Sequence, residues 1–125
     1  MQKRILIVDD EPAIRDMVAF ALRKGEFEPA HAGDAREAQS AIADRVPDLI
    51  LLDVLMPGMD GFAVLAEIKL REPLMRLPVV CLTAARDREQ LLRAFDAGAV
   101  DYVTKPFLPE ELLARVSAHV GLKLT

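Results

Sequence analysis

The sequence predicts an α/β fold, a doubly wound five-stranded parallel sheet in the order 2-1-3-4-5 with about five helices on both faces. Two observations carry this prediction. Ile5–Val8, Leu49–Leu52 and Val79–Leu82 are uninterrupted apolar runs of strand length, as parallel strands covered on both faces require. Between and beyond them, apolar residues recur at helical period, so β and α segments alternate along the chain.

After the first run, Pro12 suits a first helical turn, and Ile14, Met17, Val18, Ala21 and Leu22 form the apolar stripe of a first helix. Phe27–His31 is a weaker strand candidate, and Pro29 removes a ladder donor, which places this second strand at an edge. Asp34 and Glu37 have capping-box spacing for a second helix. Phe62, Leu65 and Ile68 mark a third helix, with Asp60 as its expected cap. Asp87 and Gln90 repeat the capping-box spacing before a fourth helix with the stripe Leu91, Leu92 and Phe95, and Gly98 suits its C-terminus. Val100–Val103 is the fifth strand. Pro109 opens the last helix, with the stripe Leu113, Val116 and Val120; its N-cap slot is Leu108, which lacks a side-chain oxygen, a deficit of about 1 kcal/mol relative to Ser or Asp.

Right-handed crossovers, together with a weak second strand at the edge, give the order 2-1-3-4-5. Strands one and three are then neighbours whose helices leave on opposite faces. The crevice this opens at their carboxyl ends is where open α/β sheets bind ligands.

The 125 residues form one domain by size, 1–125, with no room for a separate catalytic or output domain. Sixteen Lys and Arg against 20 Asp and Glu leave a net charge of -4, which opposes non-specific binding to a nucleic-acid backbone, so no direct nucleic-acid partner is expected. The apolar run after Lys3 and Arg4 stops at Asp9, too short for a signal core, and no stretch reaches membrane-spanning length. Cys81 lies inside an apolar run and reads as a buried thiol; a reducing, cytoplasmic setting fits. His31 and His119 lack acidic or cysteine partners at metal-ligand spacing and read as surface or interface packing.

The strand ends carry the chemistry. Asp9 and Asp10, Asp53, Thr83 and Lys105 each follow or close a strand candidate, so the topology gathers them at one sheet edge. Carboxylates so gathered repel one another unless a cation joins them, and hard oxygen ligands favour Mg2+. Asp53 would be the nucleophile for a phosphoryl group, Lys105 a compact charge for one of its oxygens, and Thr83 a hydroxyl donor to it. Taken singly, Asp9 or Asp10 could cap the first helix and Thr83 could be a turn residue; the constellation at successive strand ends is far more specific than any member.

Val8-Asp9-Asp10-Glu11-Pro12, Leu52-Asp53-Val54-Leu55-Met56-Pro57-Gly58-Met59-Asp60-Gly61, Leu82-Thr83-Ala84 and Lys105-Pro106-Phe107 resemble the receiver domains of bacterial two-component response regulators, across essentially the whole chain. The resemblance implies a flavodoxin-like sheet and a phosphorylation-activated switch rather than a turnover enzyme. It implies that Asp53 accepts a phosphoryl group from a histidine kinase, with Mg2+ held by Asp10, Asp53 and the Leu55 carbonyl, and by Asp9 through water. It further implies a cis bond at Lys105-Pro106, movement of Thr83 toward the phosphoryl group, Tyr102 as the readout residue, and relay to an output domain or partner through the fourth helix, fifth strand and fifth helix.

Two departures from the family pattern carry information. Leu55 and Ala85 stand where polar side chains influence acyl-phosphate hydrolysis, so slow self-dephosphorylation is expected. On the relay face, Asp101, Glu111 and Arg115 fit the charged ladder through which some members form homodimers, whereas Leu91, Ala97 and Val100 interrupt it, which leaves a homodimer, another partner or another domain as alternatives. The last helix, 109–125, shows no clean stop: Leu124 continues the stripe past Gly121, and a linker or output module after Thr125 is the expectation. The rival readings are a Mg2+-dependent aspartyl-phosphate phosphatase, disfavoured because Asp9 and Asp10 are adjacent rather than spaced Asp-x-Asp; a flavodoxin-like cofactor binder, disfavoured by the acidic first loop; and a phosphorylation-independent docking module, disfavoured by the intact acceptor set.

Overall fold

The computed structural model describes residues 2–54, 61–70, 74–84 and 88–120. Its elements are β1 (Arg4–Val8), α1 (Pro12–Lys24), β2 (Glu28–Ala32), α2 (Ala35–Asp44), β3 (Leu49–Asp53), α3 (Gly61–Leu70), a 3-10 turn (Leu74–Arg76), β4 (Val79–Thr83), α4 (Arg88–Asp96), β5 (Asp101–Thr104) and α5 (Pro109–Val120). The five strands are all parallel, in the order β2-β1-β3-β4-β5, the predicted topology. Pro29 does lie in a strand, and that strand pairs only with β1 at the sheet edge.

Alternation along the central strands divides the core in two. Ile5, Ile7, Leu49, Leu51, Val80 and Leu82 point to the face covered by α1 and α5, where they meet Val18, Leu22, Leu112 and Val116. Leu6, Val8, Ile50, Leu52, Val79 and Cys81 point to the opposite face, toward Ala38, Phe62, Leu65 and Ala94 from α2, α3 and α4.

Local chemistry explains the helix ends. Asp34 caps α2 by accepting from the Glu37 N–H at 2.8 Å, while Glu37 reaches back to the Gly33 N–H at 2.6 Å, one residue earlier than an ideal capping box. Gly98 follows α4 with φ of 114°, a conformation that glycine adopts without strain. Leu108 precedes Pro109 with its carbonyl accepting from Leu112 N at 3.1 Å, and Glu110 and Glu111 in the first turn offset the missing side-chain cap through the helix dipole. Asp60 and Asp87, expected as caps, and the tail from Gly121 through Leu124 to Thr125 lie outside the described residues.

Two helical stripes differ from expectation. Met17 in α1 is exposed, leaving Val18, Ala19, Ala21 and Leu22 to face the core. In α4 the difference is larger: Ala94 alone is buried, Leu91 is half-buried, and Leu92 and Phe95 are 54% and 41% exposed. A nine-residue helix that buries a single alanine leaves most of its apolar stripe uncovered.

Candidate functional site

Register brings the site together before any side chain is considered. β1 and β3 pair Val8 with Leu52, so the next residues, Asp9 and Asp53, stand side by side at the carboxyl edge. β4 pairs with β5 through Thr83 and Thr104, which puts Lys105 one step beyond that edge, and the Lys105 N–H donates to the Thr83 carbonyl at 2.8 Å. The expected cis bond joins Lys105 to Pro106.

Asp9 is fully enclosed, Asp53 is 4% exposed and Thr83 is 2% exposed, whereas Asp10 stands in solvent. Burying carboxylates is costly unless they are paired and hydrogen-bonded. Lys105 supplies the pairing: its Nζ donates to Asp9 Oδ2 at 2.8 Å and to Asp53 Oδ2 at 3.0 Å, with Glu11 Oε1 at 3.6 Å. Burial alone would lower the Lys105 pKa, but the hydrogen bonds to Asp9 and Asp53 and the charges of both outweigh it, holding the ammonium above its ordinary value. Asp9 Oδ1 accepts from the Glu11 N–H at 3.0 Å, so this carboxylate braces the turn into α1, and the α1 N-cap residue, Glu11, makes no side-chain cap.

Asp9, Asp10 and Asp53 each offer an oxygen within 4.8 Å of the other two. Three carboxylates facing one lysine leave a surplus of negative charge, and an all-oxygen set with one solvent-facing member suits a hard divalent ion that keeps water ligands, so these residues fit Mg2+. The Leu55 carbonyl, expected as a further ligand, and Ala85 lie outside the described residues.

Close backbone contact also shapes the pocket. A Cβ on Gly61 would sit 2.3 Å from Val54 Cα and 2.9 Å from the Asp53 carbonyl oxygen, so only glycine lets α3 start against the residue that follows Asp53. Cys81, next to this edge, is a free buried thiol; burial first, then the Asp53 charge, pushes its pKa up to about 12, which leaves it unreactive, as its apolar setting suggested.

Tyr102 lies on β5 opposite Cys81, half-buried, its ring edge-on to Phe95 with centroids 5.8 Å apart and planes at 79°. Beside it, Arg115 Nη1 donates to both Asp101 oxygens, at 2.9 and 3.0 Å, and His119 Nε2 lies 3.0 Å from Asp101 Oδ2. His119 therefore has an acidic partner that sequence spacing did not reveal, while His31 is exposed as expected. Asp101 and Arg115, candidates for a ladder between chains, are satisfied within this one.

Arg15 was not foreseen in the site. It lies on α1 and its Nη1 donates to the Asp9 carbonyl at 2.5 Å. The available signal was Arg15 at i, i+3, i+4 and i+7 spacing with the apolar residues Val18, Ala19 and Leu22.

Among the described residues no helix is long and apolar enough to cross a membrane. A family model for the response regulator receiver domain matches residues 5–117. The chain is 45% identical over 119 residues to the phosphate regulon transcriptional regulatory protein PhoB of Escherichia coli, covering 94% of this chain and 52% of that protein, so it spans about half the length of the curated relatives it matches. Among solved structures it resembles the chemotaxis protein CheY4 of Vibrio cholerae, with a TM-score of 0.90 at 31% identity over 95% of this chain and 99% of that one. The receiver domain of NtrX from Brucella abortus superposes with a TM-score of 0.87 at 39% identity, covering 94% and 98% of the two chains.

Proposed function

The chain belongs to the response regulator receiver domain family of two-component signalling proteins, and on that premise we propose that it is a switch set by transfer of a phosphoryl group from a histidine kinase to Asp53. The observation that carries the reading is the convergence of the Asp9, Asp10 and Asp53 oxygens within 4.8 Å, with Lys105 bonded to two of the three. Receivers of this family are signalling switches, not turnover enzymes.

Asp10, Asp53 and the Leu55 carbonyl would hold Mg2+, with Asp9 reaching it through water. When bound, Mg2+ neutralises charge on the phosphoryl oxygens during in-line transfer. The remaining work falls to side chains. An Asp53 carboxylate oxygen attacks phosphorus as the P–N bond of the donor phosphohistidine breaks, and the bonding pair returns to the imidazole nitrogen. The product is an acyl phosphate on Asp53. Lys105 Nζ, already shared between Asp9 and Asp53, pairs with an oxygen of the new group. The Thr83 hydroxyl donates to another of its oxygens, and Tyr102 follows into the space Thr83 leaves, altering the α4-β5-α5 face. That face passes the signal to an output domain or a separate partner. The apolar Leu92, Phe95 and Val100, exposed there while Asp101 and Arg115 are paired internally, favour a partner over a charged-ladder homodimer. In a longer parent protein, 1–125 would be the receiver domain, with α5 leading into the output module in a cytoplasmic setting.

Intact-mass measurement after incubation with Mg2+ and acetyl phosphate tests the assignment. One added phosphoryl group is expected in the parent and none in Asp53→Asn; equal uptake by both would refute it. Slow loss of the group follows from the apolar Leu55 and Ala85, and replacing them with Asn and Glu should accelerate hydrolysis.

A further inference from the structure

Asp9 is held at four of its polar atoms. Its N–H donates to the Ala32 carbonyl at 3.1 Å, Oδ1 accepts from Glu11, Oδ2 accepts from Lys105, and its carbonyl accepts from Arg15 Nη1 at 2.5 Å. The Arg15 bond goes to the main chain rather than to a carboxylate oxygen. The carbonyl it holds belongs to the planar peptide joining Asp9 to Asp10, so fixing that oxygen fixes the plane from which the exposed Asp10 side chain departs. Asp10 itself has no such enclosure.

Two further observations show that the guanidinium is seated for this bond. Among the described residues, Arg15 Nε is buried with no acceptor, a loss that folded proteins seldom accept without a gain elsewhere, and here the short bond to Asp9 is kept while Nε goes unmet. On the other side, a Cβ added to Gly33 would lie 3.2 Å from Arg15 Nη1 and 3.3 Å from Glu37 Oε1, so the missing side chain at 33 leaves the guanidinium its place between the turns after β1 and β2.

We infer that Arg15 is a positioning residue for the cation site, clamping the Asp9–Asp10 peptide so that the Asp10 carboxylate is preset against Asp53. The inference rests on the reading of the acidic cluster as a Mg2+ site. Outer partners that orient ligands typically contribute about 10–100-fold to metal affinity. Charge alone acts in the opposite sense: a guanidinium near the cluster repels a cation, so removing it should tighten binding if position did not matter.

The test is Mg2+ titration of the whole chain, without phosphodonor, by calorimetry and by the amide shifts of Asp10 and Glu11. Arg15→Met keeps an apolar stem and removes the clamp; about tenfold weaker Mg2+ binding is expected. Gly33→Ala, which crowds Nη1, should weaken binding to a lesser degree in the parent and have no effect in the Arg15→Met background. Unchanged or tighter binding by Arg15→Met, measured on protein whose melting curve shows it folded, would overturn the inference. Equal losses from Gly33→Ala in both backgrounds would overturn it as well. If the parent binds no Mg2+, the metal reading fails and takes this inference with it; if the parent binds and the variants match it, only the inference fails.

Discussion

The carboxyl edge of the sheet and the α4-β5-α5 face lie on neighbouring strands yet are built in opposite ways. At the edge, Asp9 and Asp53 are buried and Lys105 spans them within 3.0 Å. One helix away, Leu92, Phe95 and Val100 stand 54%, 41% and 41% exposed, and Ala94 is the one α4 residue that is buried. A site for group transfer needs atoms held in place, because catalysis by positioning is lost with small displacements. A surface meant to change needs few contacts to break, and elements that move are drawn from the weakly packed end of a structure. Under the proposed function, the difference separates a rigid edge where group transfer would occur from a lightly packed face that would respond to it.

Truncation should expose the contrast most strongly. Leu52→Ala, in a fully buried position one residue before Asp53, should cost about 2–5 kcal/mol of unfolding free energy. Leu92→Ala should change it by no more than about 0.5 kcal/mol. Urea denaturation measures both, and equal losses would remove the distinction between the two regions. Next in size, Gly61→Ala forces a Cβ into the backbone beside Asp53; overpacking of this kind costs about 1–3 kcal/mol, and, if Asp53 is the proposed acceptor, it should also slow phosphorylation by acetyl phosphate, because the strand end carrying Asp53 must shift.

Legibility in the sequence followed the same divide. Strand ends could be read because an apolar run has a visible last residue, and parallel register then brings Asp9, Asp53, Thr83 and Lys105 to one edge without any knowledge of side-chain conformations. The order of strands followed from handedness and from Pro29. What could not be read were contacts made by long side chains across elements: Arg15 to the Asp9 carbonyl, and Arg115 and His119 to Asp101. Their reach depends on where helices settle on the sheet. The outward turn of Leu92 and Phe95 was hidden for a related reason, since periodicity shows that a stripe exists but not how much of it a short helix can cover.

Smaller effects sharpen the comparison on the α4-β5-α5 face. The edge-to-face contact between Phe95 and Tyr102 is worth about 0.5–1.5 kcal/mol, so Phe95→Leu should loosen the tyrosine ring. The chain has one tyrosine and no tryptophan, so intrinsic fluorescence reports Tyr102 alone. A changed lifetime is expected together with a melting temperature lower by a few degrees, and an identical lifetime would show that Phe95 does not restrain the ring.

The smallest effect is electrostatic. Burial alone would raise the Asp101 pKa, but hydrogen bonds from His119, the Tyr102 N–H and Arg115 outweigh it and hold the carboxylate below its ordinary 3.8. A depressed carboxylate contributes stability above its unfolded pKa and loses that contribution as pH falls through the folded value, so this cluster should weaken only below about pH 3.8. In Arg115→Ala the Asp101 carboxyl resonance should titrate at higher pH than in the parent.

The central claim is that Asp9, Asp10 and Asp53 converge on one hard cation beside a phosphoryl acceptor. A crystal structure grown with Mg2+ and beryllofluoride tests it most directly. The expected result is an ion bonded to oxygens of Asp10 and Asp53, with beryllofluoride on Asp53 and Lys105 Nζ against a fluorine. An empty acidic edge with the carboxylates turned apart, or an ion held elsewhere, would contradict it.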